Sequence, residues 1–344
     1  MSTDPHKMSR NQILEAAART PYSKEDADIL LWLHGYWIDY LFGDAHQLAE
    51  VTGYDWTVIT RVWTGKYPGG VDKFCSQIRA LKHRITSTGI DRFVDTQVTK
   101  RIVQHMDSLS QRPGIGLIVG PTGRSKTHTL THWARANNHG RAIMVEAPPY
   151  GGTKACLEAL ARKLNLGKNR TTSQLQQLIT SSITASNIVI IDEAIRLLSP
   201  RTVQTLEVLR SLHDQQGASL VFCLTRIGKN EIEQGPQAAY LEQLVGRISW
   251  VVEIPEKVTY SEAKSVVASY LLDGTAPPTD LIKAVRDLAN AATGHGMAEM
   301  GRLRIAFRML DHAKSLAESK QQPLALIHLQ AAMGLRKANR NWED

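Results

Sequence analysis

The sequence predicts an α/β protein: a parallel sheet with helices on both faces, preceded by an all-helical segment and followed by a small helical one. Three observations predict it. Short β-branched runs alternate with helical periodicity between Gly114 and Thr225, the pattern of a parallel sheet covered on both sides. One of those runs, Ile115–Val119, leads into a glycine-bounded turn and then a helix, the layout of a phosphate-binding loop. Beyond Pro255 the strand pattern stops and only helical periodicity remains.

Taken in order, residues 1–24 are polar and are expected to be flexible. Residues 25–85 read as short helices. The first carries Leu30, Leu31, Leu33, Trp37 and Leu41, and the last runs from Val71 to about Ile85. Between them, residues 45–67 have a helix-turn-helix cadence. Leu48, Ala49 and Val51 face inward, Gly53 makes the turn, Asp55 caps a second helix, and Val58, Ile59 and Val62 pack back. Thr57, Thr60, Arg61 and Lys66 then face outward, toward a groove or its phosphates, while a helical hairpin for self-association is the plainer reading. The tryptophans Trp32, Trp37, Trp56 and Trp63 are expected to be core.

Thr86-Ser87-Thr88-Gly89 reads as a linker. The α/β core then spans 90–254, with a helix near 96–108 and strands at Ile115–Val119, Ala142–Glu146, Ile188–Asp192 and 219–225. A lid and tail follow over 255–344, with helices near 261–272, 279–292, 298–317 and 323–337.

The composition is that of an ordinary globular chain, 42% hydrophobic and 22% charged with a net charge of +8. No run approaches the roughly 18 apolar residues of a membrane span. The start of the chain lacks the order of a secretory signal. Cys75, Cys156 and Cys223 show no metal-ligand spacing, so buried thiols in a cytoplasmic protein are expected. Basic side chains (Arg61, Lys66, Lys73, Arg79, Lys82, Arg84) outnumber acidic ones over 51–90, compatible with phosphate-backbone binding.

The chemistry is carried by two motifs. Gly120-Pro121-Thr122-Gly123-Arg124-Ser125-Lys126-Thr127 matches G-x-x-x-x-G-K-[ST] except that Ser125 stands where the second glycine belongs. Such a loop turns successive backbone N–H groups inward and adds the positive end of the following helix. Lys126 is suited to reach the β- and γ-phosphates, and the Thr127 hydroxyl to ligate Mg²⁺. The apolar strand Ile188–Ile191 ends in Asp192-Glu193. There an aspartate holds the metal and a following glutamate polarises the attacking water. Ser125 must adopt a left-handed conformation at a cost of about 1 kcal/mol, which threatens turnover more than binding. Thr225, at a strand end, is placed for the γ-phosphate. Arg247 is placed either for a neighbouring subunit's γ-phosphate or for a local ion pair.

The order of features, "TGKYPGG", "RFVDTQVTKRIV", the phosphate loop, "ACLEALARKLNLG", "IVIIDEA", "LVFCLT" and "LVGRI", resembles the AAA+ ATPases of DNA transposition. The resemblance covers about residues 45–310. It implies an AAA+ core with a helical lid behind a helix-turn-helix domain, using ATP and Mg²⁺. It further implies a homo-oligomer, as a filament or ring around duplex DNA, that delivers target DNA to a transposase with little sequence preference. Lys126 and Thr127 carry over as Walker A, Asp192 and Glu193 as Walker B, Thr225 in place of the usual sensor asparagine, and Arg247 as the arginine finger. Arg302 or Arg304 would be the second sensor, and Lys154 a pore-side DNA contact. Two alternatives stay open: a helicase-loader-type ATPase, and a nucleotide-gated DNA-binding protein with little hydrolysis.

Overall fold

The computed structural model describes residues 13, 15–16, 19–20, 22–39, 41, 44–88, 93–137, 141–167, 170–271, 275–291 and 302–340. They form two compact units divided at Arg92/Phe93, each described by itself.

The first unit is helical: α1 (Lys24–Asp39), α2 (Ala45–Thr52), α3 (Trp56–Trp63) and α4 (Asp72–Thr88). Its core is aromatic. Trp37 and Trp63 are each 1% exposed, and Trp37, Trp56 and Trp63 lie within 5.0–6.0 Å of one another by ring centroid. Leu48, Ile59 and Val62 are buried with them, and Val51 and Val58 are half-buried against the cluster. Ile13 is also buried here, so the stretch before Lys24, expected to be flexible, contributes a core residue. Gly53 ends α2 at φ 74°, a left-handed turn that favours glycine. Asp55 caps α3 by accepting from the Thr57 N–H.

The second unit opens with Thr96 capping α5 (Gln97–Gln111), then alternates strand and helix: β1 (Ile115–Val119), α6 (Lys126–Ala136), β2 (Ala142–Glu146), α7 (Gly152–Lys163), α8 (Thr172–Ser182) and β3 (Ile188–Asp192). It continues through α9 (Gln204–Gln216), β4 (Ser219–Leu224), α10 (Arg226–Gln234), α11 (Glu242–Val245) and β5 (Ile248–Glu253). The sheet order is β2-β3-β4-β1-β5, with every pairing parallel. The three central strands are buried throughout. Alternate residues feed two cores: Leu117, Val119, Ile191 and Phe222 on one face, and Ile118, Ile190, Val221 and Cys223 on the other.

Strand β5 is absent from the sequence reading. It is an edge strand with only Val252 fully buried, and Arg247-Ile248-Ser249 gives it no clean apolar start. After it come the lid helices α12 (Tyr260–Ala268), α13 (Thr279–Asn290), α14 (Arg302–Ser319) and α15 (Leu326–Arg340), which share one core that also takes in Val94.

Candidate active site

Parallel strands put all their carboxyl ends at one edge, and register decides which ends meet. Val119 of β1 is level with Leu224 of β4, and Ile191 of β3 with Phe222 of β4. Gly120, Thr225, Asp192 and Glu193 therefore leave the sheet along one line. Because β4 separates β1 from β3, the phosphate loop and the Asp192-Glu193 pair stand two strand spacings apart, about 9.5 Å. That span accommodates a phosphate with a water or metal beyond it, and Thr225 sits between.

The loop has the left-handed residues expected of a phosphate-binding turn. Gly120 lies so close to the residue after β5 that an added Cβ would sit 2.6 Å from Ile254 Cβ. Gly123 has φ 75° and Ser125 φ 59°, so Ser125 occupies the left-handed conformation expected of it. It does so with no side-chain cap to α6. Lys126 Nζ donates to the carbonyls of Gly120 at 2.7 Å and Pro121 at 2.9 Å, which folds its ammonium over the loop. Thr127 is exposed in the first turn of α6, and Pro121 and Thr122 are half-buried.

Asp192 is buried at 4% exposure and accepts the Glu193 N–H at 2.9 Å. Glu193 itself is left-handed, φ 51°, a backbone reversal that turns it out of the strand line. Cys223 reports how closely these groups converge. Burial first, and then the Asp192 carboxylate, push its thiol well above the ordinary range, while Lys126 opposes them. The Thr225 hydroxyl accepts from Gly228 N–H at 3.3 Å as the cap of α10, and accepting there leaves it a proton to donate. Among the described residues no cluster of three or more His, Cys, Asp or Glu could hold a metal. A site built from Thr127 and Asp192 alone suits Mg²⁺, which keeps waters and substrate phosphate oxygens as its other ligands.

Arg124 departs from the expectation for a loop residue. Its side chain is 0% exposed and its Nη2 meets Glu262 of α12 at 2.8 Å, while Nε donates to the Pro255 carbonyl at 3.1 Å. Only its backbone remains for phosphate. The signal for Glu262 was visible as the capping box Thr259-x-x-Glu262, but nothing local says that it also receives Arg124.

Arg247 lies at the opposite edge. It precedes Ile248, which is level with Ile115 at the start of β1, so the length of a five-residue strand, about 16 Å, separates it from its own chain's phosphate loop. Its Nε pairs with Asp214 at 3.1 Å, and the arginine is 54% exposed. The side chain of Arg302 lies outside the described residues. Arg304 is exposed, and the neighbouring Leu303 N–H donates to the Gly123 carbonyl at 3.2 Å. The "RFVDTQ" lead-in also reaches this region: Phe93 stacks on His132 of α6 at 3.8 Å and 9°. Burial, then the positive charges of His128 and Arg135, hold His132 below the usual histidine range.

Of the nucleic-acid candidates, Thr57, Arg61 and Lys66 are exposed and Thr60 is half-buried. Thr57 Oγ1 donates to Asp55 at 2.6 Å and Thr60 Oγ1 to the Trp56 carbonyl at 2.6 Å, so both hydroxyls bond within their own turn of chain. Lys154 is exposed at the start of α7, 3.9 Å from Glu158. The loop before it carries Tyr150, 86% exposed, between Pro148-Pro149 and the left-handed Gly151 and Gly152. Sequence reasoning passed over this tyrosine. Among the described residues the other exposed large hydrophobics are less open, Ile327 at 68% coming nearest. No helix among the described residues is long and apolar enough to cross a membrane.

Residues 109–233 match the AAA domain family. The chain is 27% identical over 286 residues to the ATP-dependent target DNA activator B of Escherichia phage Mu, covering 77% of this chain and 89% of the relative. It stands equally close to the protein of the same description from Escherichia phage D108. Among solved structures it is similar to the Aeropyrum pernix ORC1 protein in complex with DNA. There the TM-score is 0.49 and the identity 17%, over 73% of this chain and 67% of that one. With its phosphate loop, its five-stranded parallel sheet and its helical lid, the chain has an AAA+ P-loop fold and resembles the target DNA activator B proteins of phages Mu and D108.

Proposed function

We propose that this protein is an ATPase that binds duplex DNA as an oligomer under the control of ATP, and that it presents that DNA to a transposase. The observation that carries the reading is the division of labour across the sheet. Lys126, Asp192, Glu193 and Thr225 gather at one edge, while Arg247 sits at the other. An arginine so placed is suited to the site of a second copy rather than to its own.

In this reading the loop N–H groups and Lys126 hold the β- and γ-phosphates. Glu193 orients the attacking water, and Thr225 donates to a γ-phosphate oxygen. Thr127 and Asp192 would hold Mg²⁺, whose charge offsets that of the transferring group. Arg247 leaves Asp214 for a neighbour's γ-phosphate. The surfaces for DNA are the α3 side of the helical unit, with Thr57, Thr60, Arg61 and Lys66, and the start of α7 at Lys154. Such contacts with phosphate and sugar carry little sequence preference. The similarity to the ATP-dependent target DNA activator B proteins of phages Mu and D108 supports an ATP-dependent role on target DNA.

The test is a gel shift on duplex DNA with and without ATP, with phosphate release measured in the same samples. ATP is expected to increase DNA binding at least tenfold, and Lys126→Ala to abolish the increase. Equal binding with and without ATP, together with a Lys126→Ala variant indistinguishable from the parent, would sink the reading. ATP-dependent binding without phosphate release would leave a nucleotide-gated binder in its place.

A further inference from the structure

Arg124 stands between two left-handed residues, Gly123 and Ser125, in the backbone stretch that wraps phosphate. Its side chain leaves the loop on the lid side, wholly buried. There it meets both oxygens of Glu262, at 2.8 and 3.1 Å, and the Pro255 carbonyl. Glu262 is 2% exposed and accepts from the backbone N–H of Thr259 at 2.9 Å, so the same carboxylate that starts α12 also receives the loop. A second tie runs from the first turn of α14 to the Gly123 carbonyl. The residues that touch phosphate are thus bonded directly to two of the four lid helices.

We infer that Arg124 is a positioning residue that transmits nucleotide occupancy of the phosphate loop to the lid through Glu262. The inference rests on the nucleotide reading above. Stability alone is a poor account of the pair, because buried ion pairs contribute little over apolar groups of the same size. A planar guanidinium held at Nε by the Pro255 carbonyl and at Nη2 by the Glu262 carboxylate does what a flexible apolar contact cannot: a shift of the loop backbone moves the carboxylate, and α12 with it.

Hydrogen exchange with and without ATP tests this on the full chain. In the parent, ATP is expected to slow exchange both in residues 120–130 and in α12. Arg124→Met alone strands the Glu262 carboxylate and risks misfolding. The comparison therefore also uses R124M/E262M, which fills the same space with apolar side chains and leaves Thr259 to cap the helix. In that double variant ATP is expected still to slow the loop, with the slowing at α12 lost. Slowing at α12 that matches the parent would overturn the inference, as would a parent in which ATP slows the loop and not α12. A parent in which ATP slows neither segment would instead overturn the nucleotide reading on which the inference stands.

Discussion

At the carboxyl edge of the sheet, Lys126 is tied to two loop carbonyls, Asp192 to the Glu193 backbone, and Arg124 to the lid. On α3 of the first unit, by contrast, Thr57 and Thr60 bond only within their own turn, and Arg61 and Lys66 are exposed. What is fixed in that unit is its tryptophan core. One region therefore holds its polar side chains to defined partners, as the proposed phosphoryl transfer would require. The other presents charge on a well-packed platform, which is sufficient for a polyanion read by its backbone.

The contrast can be broken most forcefully at Glu193. Glu193→Gln keeps the shape and removes the base, so phosphate release is expected to fall by about 10²- to 10⁴-fold with ATP affinity held within a factor of a few. A comparable loss of affinity would show that Glu193 is a binding group and that the edge is less divided in its roles than proposed. The platform is tested by Trp37→Ala. Removing a buried indole costs about 3–5 kcal/mol, read as a drop in the urea midpoint of the first unit. DNA retention should fall with it, while ATP binding by the second unit is unchanged. A variant that kept full DNA binding would move the interface off the helical unit. The smallest effect is expected from Ser125→Gly. Relief of the left-handed conformation is expected to stabilise the protein by up to about 1 kcal/mol, measured by thermal unfolding. No gain in stability would mean that Ser125 bears no strain there.

How far each region was legible follows from the same contrast. Four strands and the phosphate loop were readable because a β-branched run and a glycine-rich turn are local signals. Register then brought Asp192 and Thr225 beside the loop without further information. Strand β5 was missed because an edge strand needs only one buried face, and Ile248–Glu253 alternates weakly. Glu262 was legible as a helix cap but not as the partner of Arg124, since that pairing joins segments 138 residues apart. Tyr150 gave no periodic signal at all, lying in a proline- and glycine-bounded loop. In the helical unit Gly53 and Asp55 announced the turn and the cap, and both are observed. Caps of this kind serve many all-helical modules, so they say little about what the unit touches.

The placement of Arg247 at the amino edge of the sheet and the phosphate loop at the carboxyl edge gives any assembly built on their contact a front and a back. Copies joined this way meet head to tail, and such a contact either closes into a ring or runs on as an open helix. In an open helix, one terminal subunit lacks a neighbour's arginine and the other offers an arginine with no site to complete. Turnover would then be silent at one end, and a chain of these molecules would carry a direction along the DNA it covers.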